Sequence, residues 1–203
     1  MLWPQVSDCD PAVTIMIITH DREKLINAII FFSQKVRFPG KTKLFKLLYF
    51  LDFEHYKQKG RSVTGLEYFA WPMGPVPVDL YNEIEAPRPS ADLEEWLSFE
   101  KKRLNNGNWM LNVHAKRPFD PSHFTKRELQ IMELLADEYR ETKAEAMVEA
   151  THLENQPWHE VYEVRERQQD LIPYELALRK AEEETLRDIA AEREAVINHF
   201  RSE

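Results

Sequence analysis

The stretch Lys41-Thr42-Lys43-Leu44-Phe45-Lys46-Leu47-Leu48-Tyr49-Phe50-Leu51-Asp52-Phe53-Glu54-His55 decides the architecture of this chain. Leu44, Leu47, Leu48, Leu51 and His55 recur at three- and four-residue steps, which places them on one face of a helix running from Lys41 to Lys59. Phe45, Tyr49, Phe50 and Phe53 widen that face until the helix is apolar almost all round. Such a helix is central, not superficial. On this reading Lys43 and Lys46 are solvated neighbours on an otherwise buried helix.

Upstream, Leu25, Ile26, Ile29, Phe32 and Val36 repeat with the same period from Asp21 onward, and Pro39-Gly40 ends that segment. Residues 13–19 are a β-branched run that reads either as a strand or as part of an extension preceding a start at Met16. After Gly60 the period drops to two. Residues 63–71 are rich in β-branched and aromatic side chains and predict a strand that Pro72, Pro75 and Pro77 stop. A short helix is predicted over 78–85, and an acidic one over 92–97 after the proline-rich break at 86–90. Asn105-Asn106-Gly107-Asn108 tolerates the positive φ of a tight turn and predicts a hairpin with strands over 99–104 and 109–115. Thr125 with Glu128, and Thr142 with Glu145, match the capping box and predict helices over 125–141 and 142–152. Pro157 opens a further helix to Arg167, and Pro173 a last one to about Phe200. The chain therefore reads as mainly α (α+β): a helical domain with a small antiparallel β element and a long C-terminal helix.

Composition bounds the function. The 203 residues are 43% hydrophobic and 31% charged, a soluble globular mixture long enough to bury about 70% of its unfolded surface without disulfides or a structural metal. Five glycines, none in a G-x-G-x-x-G or G-x-x-x-x-G-K-[ST] pattern, exclude Rossmann and P-loop phosphate sites. A net charge of −8 repels nucleic acid and anionic membranes. Residues 21–59 run against this trend, with nine Lys/Arg against four Asp/Glu. That excess reads either as solvated helix faces or as a basic surface for an acidic partner or nucleic acid. The single cysteine, Cys9, points to a reducing compartment. With no apolar run near the ~20 residues of a membrane span, the cytoplasm is the expected location.

Catalytic spacing is hard to find. His159-Glu160-Val161-Tyr162 is followed by Glu163 where H-E-x-x-H needs a second histidine, and His152-Leu153-Glu154 lacks the paired cysteines that complete a zinc deaminase site. G-x-S-x-G does not occur, and Cys9 lies between Asp8 and Asp10, whose charges oppose thiolate formation. A metal-dependent hydrolase would have to gather His152, His159, Glu154 and Glu160 in space.

Three stretches together resemble one family. Lys43 to Phe50 is similar to its K-L-x-K-L-L-Y-[YF] helix, and Ala70-Trp71-Pro72-Met73-Gly74-Pro75-Val76-Pro77 with Leu80-Tyr81 is similar to its A-W-x-x-G-P-V-x-x-x-L-Y turn. Thr151-His152-Leu153-Glu154-Asn155-Gln156-Pro157-Trp158 is similar to its T-H-x-x-x-x-P-W segment. These are signatures of the Panacea domain, an antitoxin domain named for neutralising many unrelated toxins and including a SocA-like proteolytic adaptor. The resemblance spans about 22–170, leaving 1–21 as an N-terminal extension and 171–203 as an acidic C-terminal helix. It marks Lys43, Leu47, Tyr49, Trp71, Gly74, Pro75, Tyr81, Thr151, His152, Pro157 and Trp158 as motif positions, either structural or partner-binding. Read structurally, Gly74-Pro75 forces a strand-to-helix turn, Trp71 and Trp158 are core aromatics, and His152 bonds a backbone carbonyl.

What the resemblance implies is a type II antitoxin of a toxin–antitoxin system, one that binds a cognate toxin protein and needs neither cofactor nor metal nor turnover. An adaptor delivering the toxin to an ATP-dependent protease is the second implied reading, and a structural component of a mobile element or phage is a third. No DNA-binding module is recognisable, so nucleic acid is not an expected partner on its own. Leu186, Ile189, Val196 and Phe200 form a narrow apolar stripe in the C-terminal segment. That stripe packs on its own domain or contacts the toxin, with Ile189, Val196 and Phe200 as candidate contacts.

Overall fold

A computed structural model describes residues 20–103, 107, 109–153 and 156–178. Two helices start the described chain, α1 (Asp21–Lys35) and α2 (Lys41–Lys59), and Gly60 closes α2 in the left-handed conformation with φ 64°. A small antiparallel pair, β1 (Phe69–Trp71) and β2 (Gly74–Val76), leads into α3 (Val78–Glu85) and α4 (Ala91–Trp96). The hairpin β3 (Leu97–Arg103) and β4 (Trp109–Ala115) follows, then α5 (Lys126–Glu138) and α6 (Ala144–Thr151). A final short helix, α7 (Pro157–His159), continues as a π turn (Glu160–Val164), and a 3₁₀ turn (Tyr174–Ala177) ends the described chain. Among the described residues the fold is mainly α with two small antiparallel strand pairs.

α2 is the central helix that its sequence demands. It packs against α1, α5, α6, β2, β4 and the final 3₁₀ turn, and Leu47, Leu48 and Leu51 are fully buried. Lys43, Lys46, Asp52 and His55 are buried as well. Asp52 lies inside the core, where its carboxylate accepts from the amides of Val63 and Thr64, both at 2.8 Å, and from the hydroxyls of Thr64 and Tyr68. Burial pushes this carboxyl up to about 6, with those four donors opposing the shift.

The Asp52 contacts explain a departure from the sequence pattern. A strand was expected over 63–71, yet only Phe69–Trp71 is β-structure, because the amides of Val63 and Thr64 are committed to Asp52 instead of a ladder. The partner strand is the glycine–proline stretch expected to be a turn, in the register Phe69↔Val76, Ala70↔Pro75 and Trp71↔Gly74. Pro75 lacks an N–H and fits an edge strand. The other edge of β1 is covered from far along the chain, with Ala70 N to Asp170 O at 2.9 Å and Gln169 N to Ala70 O at 2.8 Å.

The hairpin forms with Arg103 opposite Trp109, and β3 begins two residues earlier than expected. One capping box forms: the Glu128 amide donates to Thr125 Oγ1 at 3.3 Å and the Thr125 amide to Glu128 Oε2 at 2.7 Å. Glu128 is itself buried, where it pairs with Lys24 at 2.8 Å. The second box does not form. The Thr142 amide is used by Tyr139 O, so α6 starts at Ala144 with Lys143 as its cap, and Glu145 falls one position too early. The helix opened by Pro157 ends at Val164, short of Arg167.

The long helix expected from Pro173 does not start there. Tyr174–Ala177 is a 3₁₀ turn and Leu178 is extended. The turn is tied to the core: Tyr174 donates to Leu66 O at 2.6 Å and packs against Phe53 with ring centroids 4.5 Å apart. Ile189, Val196 and Phe200 lie outside the described residues, as do residues 13–19 and Cys9.

The buried Asp52 network gives a stability test. Asp52→Ala strands two buried amides and two buried hydroxyls, and each unsatisfied group costs about 1–3 kcal/mol. A loss of at least about 3 kcal/mol is expected in denaturant unfolding, and a loss below about 1 kcal/mol would contradict this network.

Candidate functional site

The three family-motif segments meet where α2 packs against β2 and α6. Lys46 projects from α2 and donates from Nζ to Pro75 O at 2.8 Å. It is only 1% exposed, and no described carboxylate pairs with it. Burial therefore lowers its ammonium to about 7. Lys43, one turn earlier and completely buried, donates to Arg37 O at 2.8 Å and Arg140 O at 3.2 Å. Burial lowers it to about 8, and Glu141 opposes the shift. The expectation of two solvated lysines is thus corrected. α2 is surrounded, so each ammonium reaches a backbone carbonyl instead of water, the condition under which a polar group tolerates burial.

Gly74 has φ +88° and sits against Lys46 and Thr151: a Cβ there would fall 2.6 Å from Thr151 Oγ1 and 2.8 Å from Lys46 Nζ. Thr151 is buried at the end of α6 and turns its hydroxyl to Val148 O at 2.8 Å. The tryptophans join the two remaining motif segments, because Trp158 donates from Nε1 to Trp71 O at 2.9 Å. Trp158 is a core side chain, as expected, whereas Trp71 is half-buried and packs on Tyr81 with centroids 5.2 Å apart. Pro157, at the first position of α7, and Leu47 are buried. Tyr49 is buried beside Phe53 and Tyr68, and burial raises its hydroxyl while the Trp158 backbone opposes the shift.

His152 departs from its expected role. Its Nε2 is buried with no hydrogen-bond partner, and the ring instead stacks on Trp158 with centroids 3.7 Å apart and planes 7° from parallel. Tyr162 stacks on the same indole at 4.6 Å. Burial lowers His152, the Lys46 charge adds to that shift, and Glu163 opposes it. Among the described residues no group of three or more His, Cys, Asp or Glu side chains is disposed to hold a metal, and Glu154 lies outside them.

Sequence reasoning did not single out Asp52, and it placed Lys43 and Lys46 in solvent. The signal was present, since a charge on a helix that is apolar all round must be buried and satisfied. Chemically, a lysine near neutrality is a potential base or nucleophile. Here Gly74, Pro75 and Thr151 close over it and leave no room for a substrate.

Two variants test this geometry. Gly74→Val adds backbone strain of about 1–3 kcal/mol and a clash with Thr151 and Lys46, so a clear fall in melting temperature is expected. An unchanged midpoint would show that the contact gives way. Lys46→Met tests the desolvated ammonium. The unfolded lysine keeps its proton up to about 10.5 while the folded one releases it near 7. The unfolded state therefore binds more protons across that interval, and the Lys46 contribution to stability rises with pH. The variant should gain less stability than the parent between pH 7 and 9, and equal slopes would contradict the burial of this charge.

Comparison with known families places these residues together. A family model described as antitoxin SocA-like, Panacea domain, matches residues 44–159, more than half of the chain. It opens within α2 and closes at the end of α7, enclosing Lys46, Gly74, Thr151, His152 and Trp158. No curated protein and no solved structure matches the chain significantly. By that match, the chain belongs to the SocA-like antitoxin family of Panacea domains.

Proposed function

We propose that this chain is the antitoxin of a type II toxin–antitoxin system, which neutralises a cognate toxin protein in the cytoplasm by direct binding and without turnover. The observation that carries the reading is the family match over the segment that forms the α2-centred core. The site geometry supports it. The motif residues hold segments together around a sealed lysine, an arrangement suited to a stable scaffold and not to substrate access. Among the described residues no helix is long and apolar enough to cross a membrane. The net charge of −8 favours a basic toxin, because complementary potentials raise association rates and suppress wrong partners.

Co-expression with the product of the neighbouring gene tests the proposal. Growth should be rescued and the two proteins should co-purify, and the complex should melt above the free chain because the partner binds only the folded state. A neighbour that is harmless alone contradicts the reading. Rescue with loss of the toxin and no stable complex would instead identify an adaptor for proteolysis.

Ile189, Val196 and Phe200 are proposed as additional toxin contacts. Deleting residues 179–203 spares the Tyr174 packing, so the shortened chain should still melt cooperatively while capturing the toxin more weakly. Undiminished capture would remove these three residues from the interface.

A further inference from the structure

A groove of about 600 Å³ runs beside the β3–β4 hairpin. Ile84 of α3 and Leu97, Phe99 and Leu111 of the hairpin line it with apolar side chains. Leu97, Ser98 and Phe99 all reach it although consecutive side chains leave opposite faces of a strand, so the groove follows the edge of β3. That edge is open. β4 takes one side of β3, and among the described residues no strand or isolated bridge takes the other. Alternate residues of β3 therefore turn N–H and C=O groups away from β4, toward the groove, with no ladder partner.

The charge along this edge is uneven. Lys101 and Arg103 share one face of β3 near the hairpin tip, opposite Leu111 and Trp109. Both are exposed, and no described carboxylate forms an ion pair with either. The rest of the rim is balanced: Glu85 pairs with Lys41, and Lys116 lies beside Glu94, whose carbonyl it reaches. Charged side chains on an edge strand ordinarily oppose a further strand, so two uncompensated cations admit only an acidic one.

The described chain begins near the other end of the groove. Arg22, in the first turn of α1, donates to Ser90 Oγ and to both carboxylate oxygens of Asp92, while Pro89 and Glu94 line the groove on either side of them. Nineteen residues precede His20. Fully extended they span about 60 Å, against about 23 Å for β3. They carry Asp8 and Asp10 with no Lys or Arg, followed by the β-branched run Val13 to Thr19, a composition that favours a strand. A segment that ends at His20 and comes from the hairpin tip runs antiparallel to β3. That order sets the β-branched run beside Leu97 and Phe99 and the two aspartates beside Lys101 and Arg103. The last described turn is remote from the groove: Tyr174 packs on Phe53 and Tyr56, whereas Lys41, at the opposite end of α2, holds Glu85 on the rim.

We propose that residues 8–19 occupy this groove as a third strand on the open edge of β3, antiparallel to it, with Asp8 and Asp10 against Lys101 and Arg103. The added strand satisfies the outward backbone groups of β3 and keeps that edge from pairing with another chain.

Cys9, the single cysteine, lies between the two aspartates and carries the probe, a nitroxide attached to the full-length, isotope-labelled chain. Amide signals of β3 and of residues 86–89 should broaden, and those of α5 and the Tyr174–Ala177 turn should stay sharp. In the nitroxide-free chain the β3 amides that face away from β4 should exchange slowly. Lys101→Glu with Arg103→Glu, both at exposed positions, should melt like the parent and lose the broadening, and adding Asp8→Lys with Asp10→Lys should restore it. Should the charge-reversed chain fail to melt cooperatively, the broadening and exchange of the parent decide. Sharp β3 signals, or outward β3 amides that exchange freely, overturn the third strand. Broadening that reaches β3 only from nitroxide-bearing copies mixed with isotope-labelled ones overturns it too, since the occupant would then be another copy's segment. A charge-reversed chain that keeps the broadening overturns the pairing of the aspartates with these two cations.

Discussion

A buried helix that carries charge has to find hydrogen-bond partners for it, and α2 finds them in four different parts of the chain. Lys43 takes the carbonyls of Arg37 and Arg140, Lys46 the carbonyl of Pro75, and Asp52 the amides of Val63 and Thr64. Leaving any of these ions unpaired inside the core would cost several kcal/mol. The α1–α2 connection, the end of α5, β2 and the loop before β1 are therefore each fixed relative to one helix. Apolar burial supplies the driving force for packing, and these ionic groups supply its specificity.

The consequences run outward from Lys46. Because its ammonium must reach Pro75 O, β2 lies against α2, and only a residue without a Cβ fits at position 74 between Lys46 and Thr151. That close approach brings the end of α6 to the β1–β2 turn. The Trp158–Trp71 hydrogen bond then fastens α7 to the same place, with His152 and Tyr162 stacked on the indole. Three stretches distant in sequence thus become one structural unit. Its inner side is closed around Lys46.

Much of this was legible in the sequence, where periodicity and local chemistry agree. The apolar circumference of α2, the Thr125–Glu128 cap and the Asn-Gly hairpin signal each specify what forms. What escaped depends on tertiary partners. Residues 63–68 have strand-like composition but lose their ladder to Asp52, and Gly74-Pro75-Val76 has turn-like composition yet pairs as an edge strand. Lys43 and Lys46 look like surface residues until α5 and β2 are placed over them. Tyr174 joins the core because Leu66 offers it a carbonyl and Phe53 a ring to pack on. The motif positions were identifiable by resemblance, but their convergence around Lys46 and the unpartnered nitrogen of His152 are properties of the fold.

Amide hydrogen exchange of the full-length chain tests this picture most directly. The slowest-exchanging amides should lie in α2, and those of Val63 and Thr64, which Asp52 holds, should be protected although they belong to no strand. An α2 that exchanges as fast as the surface helices, or unprotected amides at Val63 and Thr64, would contradict it.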